Sequence, residues 1–463
     1  MAYTAFITRI KNVRPHPNAD RLQMGECFGN TVIISMEYTD NQLGIYFPSD
    51  GQVSVAFADA NNLLRKKDDA GNNIGGYMDE NKRNVTAIKL RGEKSDGLFL
   101  PLKSLESFGD IATLKEGDRI DNFNGHEICC KYVPKRNVRQ GHVSNGNRTR
   151  KKKVIVSPLF NEHADTEQLA YNLGAFKPGD EIEITLKMHG TSQRTGYLPV
   201  FKGYKRTLWD KICKREGTPI YDWGYVSGTR RTVLENYDGG YYGSNEFREQ
   251  HSKFFEGKLW KGEEIFYEVV GFTHTGAPIM ATADNKKLND KEFIKQYGKE
   301  TVFSYGCSPT GWVGIGITAD PVPVSDIYVY RMTMTNEDGD VVEYTPDFMR
   351  YRCEQMGVKT VPVMTKFTVP TQDELSDYAR LLTTEEANAS AGEWVKEVAE
   401  EYYDGPDPIG KTHVREGVVV RILNRPKFCA YKHKNWSFKA LEGIVKVEAE
   451  APDMEEAEEV TDA

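Results

Sequence analysis

No apolar stretch in this chain approaches the length of a membrane span, so no spanning helix is expected. The opening residues Met1-Ala2-Tyr3-Thr4-Ala5 lack a basic segment followed by an apolar run, which argues against a secretory leader. Cysteines are few, seven in all, an odd number, and no CxxC pair occurs, which argues against a zinc knuckle. Scattered thiols in a long chain fit a reducing cytosol, so the cytoplasm is the expected location. No internal repeat is visible. What remains is a soluble, globular composition, 39% hydrophobic and 28% charged. Its 463 residues suggest two or three domains.

The net charge of −8 is local rather than global. From Val447 to Ala463 there are eight acids and no base, so the rest of the chain is near neutral. The overall acidity therefore says nothing against a nucleic-acid partner. This tail has few apolar residues and is expected to be disordered. The opposite charge collects at 135–153, where Lys135, Arg136, Arg139, Arg148, Arg150, Lys151, Lys152 and Lys153 occur with no acid. That composition reads as a basic interdomain linker, either a solvated hinge or a nucleic-acid contact.

Residues 1–134 read as short strands broken by turns, for example 31–36 and 43–47, and suggest a small barrel. Residues 154–446 read as a second, strand-rich unit with helical inserts. Thr371-Gln372-Asp373-Glu374 has capping-box spacing ahead of a short helix. A second amphipathic helix runs through Glu393–Ala399 and is stopped by Gly405-Pro406.

The most informative stretch is Lys187-Met188-His189-Gly190-Thr191-Ser192. It follows the alternating run Glu181-Ile182-Glu183-Ile184-Thr185-Leu186, which reads as a strand. The strand delivers one lysine to a turn, and Gly190 lets the backbone come close to a bound group. A lysine so placed can act as a nucleophile once neighbouring cations favour its neutral amine.

Four segments follow in order. The hydrophobic run 264–271 carries Glu268, and the aromatic run 327–331 carries Tyr328 and Tyr330. Glu416 stands just before the apolar run 417–421. Lys432 and Lys434 alternate onto one face of a strand at 431–435. Taken singly, each has an ordinary reading: a solvated glutamate, a packed tyrosine, an exposed edge whose lysines discourage aggregation. Their order and chemistry together raise the functional reading.

The ordered set resembles the motifs of the covalent nucleotidyltransferases, the superfamily of polynucleotide ligases and mRNA capping enzymes. Lys187 through Thr191 has the KxHGT form of RNA ligases rather than the KxDG form common in DNA ligases. Ser227-Gly228-Thr229-Arg230-Arg231-Thr232 resembles the arginine-bearing segment after the nucleophile. Arg14 through Leu22 is similar to the opening of OB-fold domains related to tRNA-binding modules. An OB-like domain ahead of the transferase domain resembles a bacterial and phage class of nick-sealing RNA ligases. Most DNA ligases and capping enzymes carry that domain after the last motif instead.

The resemblance implies an α+β architecture: an OB-like β-barrel over 1–134, then an antiparallel-sheet-rich nucleotidyltransferase (ATP-grasp-like ligase) domain over 154–446. It implies ATP and Mg²⁺, with Mn²⁺ as a substitute, and a nucleic-acid substrate with an RNA 3′-hydroxyl, acted on by a monomer. Lys187 would form a lysyl-adenylate, helped by Lys432 and Lys434. His189, Gly190 and either Arg230 or Arg231 would hold the nucleotide, with the Arg-Thr step favouring Arg231. Glu268 would bond the ribose, Tyr328 would stack on adenine, and Glu416 would hold the metal.

Two departures stand out. Ser192 replaces the arginine of DNA ligases and capping enzymes, and Leu186 replaces a glutamate that reads adenine in some RNA ligases. About 85 residues between Tyr330 and Glu416 carry the two predicted helices and have no assigned role. The alternatives are a non-catalytic OB-fold RNA-binding protein and a capping-type guanylyltransferase.

Overall fold

The structure is a computed structural model that describes residues 3–67, 73–132, 156–163, 166–213, 215, 217–234, 237, 242, 244–311, 321–379 and 384–448. The basic segment 135–153 and the acidic tail beyond 448 lie outside the described residues. The chain divides into two compact units. One comprises Met1–Lys135 with Ala283–Glu300 and Lys434–Pro452, and the other is built from Arg136–Thr282 and Thr301–His433. Each unit is discontinuous in the chain.

In the first unit, Leu98–Pro101, Leu43–Phe47, Ala5–Arg9 and Arg119–Ile120 form a four-stranded sheet in that order. Ala5 and Ile7, like Ile45 and Phe47, are two residues apart and share a face, and all four are fully buried. They pack with Val53, Phe57, Leu105 and Ile128 into one core. Lys11–Pro15, Leu22–Cys27 and Asn30–Ser35 form a three-stranded meander. Short side-chain links tie the later segments into this unit. Lys89 Nζ meets Asp290 Oδ2 at 2.9 Å, and Lys439 Nζ meets Asp96 Oδ2 at 2.5 Å.

The second unit carries two sheets. The larger runs Thr218–Gly228, Thr191–Lys205, Glu263–Gly271, Ser325–Thr335 and Val341–Glu343, with Lys359–Thr360 also pairing to Ser325–Thr335. Register gives its faces different characters. Ile265, Tyr267 and Val269 on one strand, and Ile327 and Val329 on the next, point into an apolar core. On the strand Glu263–Gly271, the intervening residues Glu264, Phe266 and Glu268 oppose Gly196, Arg194 and Ser192 on the neighbouring strand. Polar chemistry is thereby concentrated on one face.

The smaller sheet runs Glu167–Gln168, Ala430–Lys434, Gly417–Ile422, Glu181–Leu186 and Val363–Thr368. The unassigned insertion builds the back of this sheet. Its segment Val363–Thr368 pairs antiparallel with Glu181–Leu186. Its helices Gln372–Ala379 and Thr384–Tyr402 bring Leu375, Ala391, Val395 and Ala399 onto Ile182, Ile184, Val418, Val420 and Ile422. The capping box forms as its spacing predicts, with Thr371 N donating to Glu374 Oε2 at 2.7 Å. A third helix of the insertion, Pro346–Met356, starts on the Thr345 cap and stops at Gly357 in the left-handed region. Its Arg352 forks onto the fully buried Glu263 through two 2.8 Å bonds, fixing it to the larger sheet.

The α+β expectation therefore stands at the level of antiparallel sheets with helices. The sequence reading missed this helix and also Glu246–Phe254, Lys291–Tyr297 and Trp436–Glu448.

Candidate active site

Lys187 is the first residue past the strand Glu181–Leu186, and its backbone N donates to Gly417 O at 3.0 Å. That bond extends the pairing of this strand with Gly417–Ile422 and sets Lys187 beside Glu416. Lys187 Nζ lies 2.8 Å from Glu416 Oε1, and the glutamate side chain is only 2% exposed. The near neighbour of the lysine is thus a buried carboxylate. His189 Nδ1 is 3.8 Å from Glu416 Oε2. A buried carboxylate with hard oxygen donors suits a divalent cation such as Mg²⁺ or Mn²⁺.

Gly190 is required by space. A Cβ there would stand 2.3 Å from Val269 O and 2.9 Å from Glu268 Cγ. The turn thus presses directly against the strand that carries Glu268, and no larger residue fits without a shift. Glu268 is opposite Ser192 on one side and Tyr328 on the other. Directly opposed residues sit about 5 Å apart, so Glu268 and Tyr328 form one small patch. Both are nearly buried. Burial raises the Tyr328 phenol well above its ordinary value. Ser192 Oγ lies 2.9 Å from the hydroxyl of Tyr330.

The two arginines fall in the turn after Gly228. Arg231 is exposed, while Arg230 is half-buried and its carbonyl faces His163 N at 3.3 Å. Lys432 is half-buried in the strand Ala430–Lys434 and stands opposite Gln168. Lys434, at the end of that strand, clusters with the first unit. Its Nζ sits 2.8 Å from both carboxylate oxygens of Glu442. Its charge is thus matched by an acid in this state.

Several supporting residues carry no sequence signal. The Tyr305 hydroxyl accepts the His189 amide at 2.7 Å, two residues past Lys187. Tyr305 has φ of 47°, uncommon for an aromatic residue, and is 3% exposed. Burial holds its phenol well above the ordinary value, so it stays protonated. Its ring packs 4.6 Å from His413, which lies in the loop leading to Glu416. Asp407 pins that loop by accepting from Ile409 N at 3.0 Å and Gly410 N at 2.8 Å.

Arg194 joins three elements. It donates to Thr229 O at 2.8 Å, pairs with Glu264 at 3.3 Å, and stacks 3.8 Å above Phe160. Burial nevertheless outweighs Arg194 at Glu264 and pushes that carboxyl up to about 7.

Solved structures share this fold across nearly the whole chain. Naegleria gruberi RNA ligase, as a lysine-to-alanine mutant with ATP and Mn, aligns at 16% identity and a TM-score of 0.53, covering 94% of this chain and 98% of that one. A lysine-to-methionine mutant of that ligase with AMP and Mn gives 15%, 0.52, 94% and 97%. Its complex with PPi gives 16%, 0.51, 93% and 96%. No family model matches the chain, and no curated protein matches it.

Proposed function

We propose that this protein is an ATP-dependent RNA ligase that joins 3′-hydroxyl and 5′-phosphate ends through a lysyl-AMP on Lys187. The observation that carries this reading is the pairing of Lys187 with the buried Glu416 at 2.8 Å on a turn wedged against the strand of Glu268. Neither a non-catalytic RNA-binding role nor simple sheet packing needs that arrangement. The structural neighbours' complexes with ATP, with AMP and with PPi match the substrate and products of such a first step.

Lys187 Nζ would attack the α-phosphorus of ATP, forming a P–N bond as the bond to pyrophosphate breaks. The amine must shed a proton to do so, and Glu416 Oε1 is the acceptor within reach. Gly190 lets the turn close on the strand behind it, so Lys187 is positioned rather than free to roam. Glu268 would bond the ribose, Tyr328 would stack on the base, and His189 would flank the phosphates. Arg230 or Arg231, with Lys432 and Lys434, would bind phosphate oxygens, once Lys434 exchanges its partner Glu442 for substrate. A divalent cation held at Glu416 would supply neutralisation of phosphate charge. AMP then passes to the 5′-phosphate and leaves when the 3′-hydroxyl attacks.

The N-terminal unit fits an OB-like nucleic-acid-binding role, supported by its short antiparallel strands around one core. The substrate favoured is a nicked duplex with an RNA 3′-hydroxyl strand. Nicks ending in a 3′-ribonucleotide and in a 3′-deoxyribonucleotide test this directly. ATP-dependent sealing of the first is expected, and failure to seal either would reject the reading.

A further inference from the structure

The strands Thr191–Lys205 and Thr218–Gly228 form a hairpin that begins and ends at the site. Its first strand starts one residue after Gly190, and its second ends one residue before Thr229-Arg230-Arg231. From the Arg194–Gly228 pair to the Lys205–Thr218 pair it runs about 36 Å at ~3.3 Å per residue. An isolated two-stranded hairpin is marginally stable in water. This one is braced by aromatic pairs along its length. Tyr197 stacks on Tyr225 at 4.7 Å and meets Trp223 at 5.9 Å, and Phe201 meets Tyr221 at 5.9 Å.

The tip contradicts ordinary folding economy. The helix Leu208–Ile212 leaves Leu208 75%, Trp209 74% and Ile212 65% exposed. These side chains contribute almost nothing to folding, yet the helix carrying them is closed by a full capping box between Thr207 and Asp210. Around it, Lys202, Lys205, Arg206 and Arg215 are exposed, against the half-buried Asp210 and the exposed Asp222 among the described residues.

We propose that this hairpin is an arm that follows one flank of a nucleic-acid duplex and grips it with its tip. The inference rests on the ligase reading for the position of the reacting end. Cations match the phosphate backbone, and an apolar, Trp-bearing wedge suits a groove or an unstacked base. A reach of about 36 Å spans about ten base pairs at ~3.4 Å each. A single arm rooted at the site makes the requirement one-sided.

The test uses the full chain and nicked duplexes whose two flanks are shortened one at a time from twelve to five base pairs. Binding is read by fluorescence anisotropy. Wild type should lose affinity when one particular flank is shortened and not the other. The combined exposed substitutions Leu208→Ser, Trp209→Ser and Ile212→Ser should weaken binding of the long duplex about tenfold and remove that flank dependence. Lys205→Glu with Arg206→Glu should also lower the slope of log affinity against log salt by about two. Self-labelling with ATP should be unchanged in both variants. Equal affinity of both variants and wild type for the long duplex would overturn the proposal. So would tip substitutions that abolish self-association in light scattering, or binding to anionic vesicles, with duplex binding intact. A wild type that takes no label from ATP but shows one-sided binding lost in the variants would reject the ligase reading and keep the arm.

Discussion

The base and the tip of one hairpin follow opposite rules. At the base, Arg194 and Glu264 are 2% and 0% exposed, and a hydrogen bond to Thr229 O ties Arg194 to the turn that carries Arg230 and Arg231. At the tip, three large apolar side chains face solvent. The base invests burial in placing charged groups that water would otherwise screen. The tip keeps apolar surface uncovered, which folding alone does not select. The difference teaches that fixed geometry is needed where bonds change, whereas the far end is shaped for something outside the chain.

The sharpest way to break this contrast is at the site itself. Glu416→Ala removes the carboxylate 2.8 Å from Lys187 Nζ, and is expected to cut self-adenylation by ~10²-fold or more. Lys432→Ala should have a comparable effect on the same gel assay. Gly190→Ala puts a methyl 2.3 Å from Val269 O, so the turn must move. A displacement of about 1 Å is expected to cost ~10²-fold in adenylation, with the fold retained by circular dichroism.

A smaller effect sharpens the account of the base. Glu264 holds its proton up to about pH 7 in the fold, against an ordinary value near 4.5. Between these values the folded state binds more protons than the unfolded one, so stability falls as pH rises. Glu264→Gln imitates the protonated acid. Its stability relative to wild type should therefore grow from pH 5 to pH 8, by at most about 1.4 kcal/mol per pH unit, read from urea midpoints. The smallest effect belongs to the tip. Trp209→Ala is expected to change stability by less than about 0.5 kcal/mol and to leave self-adenylation unchanged.

Where several candidate residues fall on their strands was legible, because strand periodicity carries it. The run 181–186 alternates and ends on Lys187, and the structure has the strand at those bounds. Glu416 precedes its strand as its run predicts, whereas the register that sets Glu268 opposite Tyr328 is found only in the fold. The glycine of the turn permits close approach, and the approach is to Val269 O. Tyr305 and Asp407 were illegible, since nothing in a loop sequence says which backbone amide it will hold. The partner of Lys434 was equally hidden, because Glu442 lies on a helix the sequence reading missed. The insertion was opaque because its edge strand Val363–Thr368 is part-polar and gains meaning only by pairing with Glu181–Leu186.

The most direct measurement is incubation with α-labelled ATP and Mg²⁺, followed by denaturation. The account predicts label retained on the wild-type protein and absent from Lys187→Ala. A wild type that takes up no label from ATP, or a Lys187→Ala variant that retains it, would contradict the account.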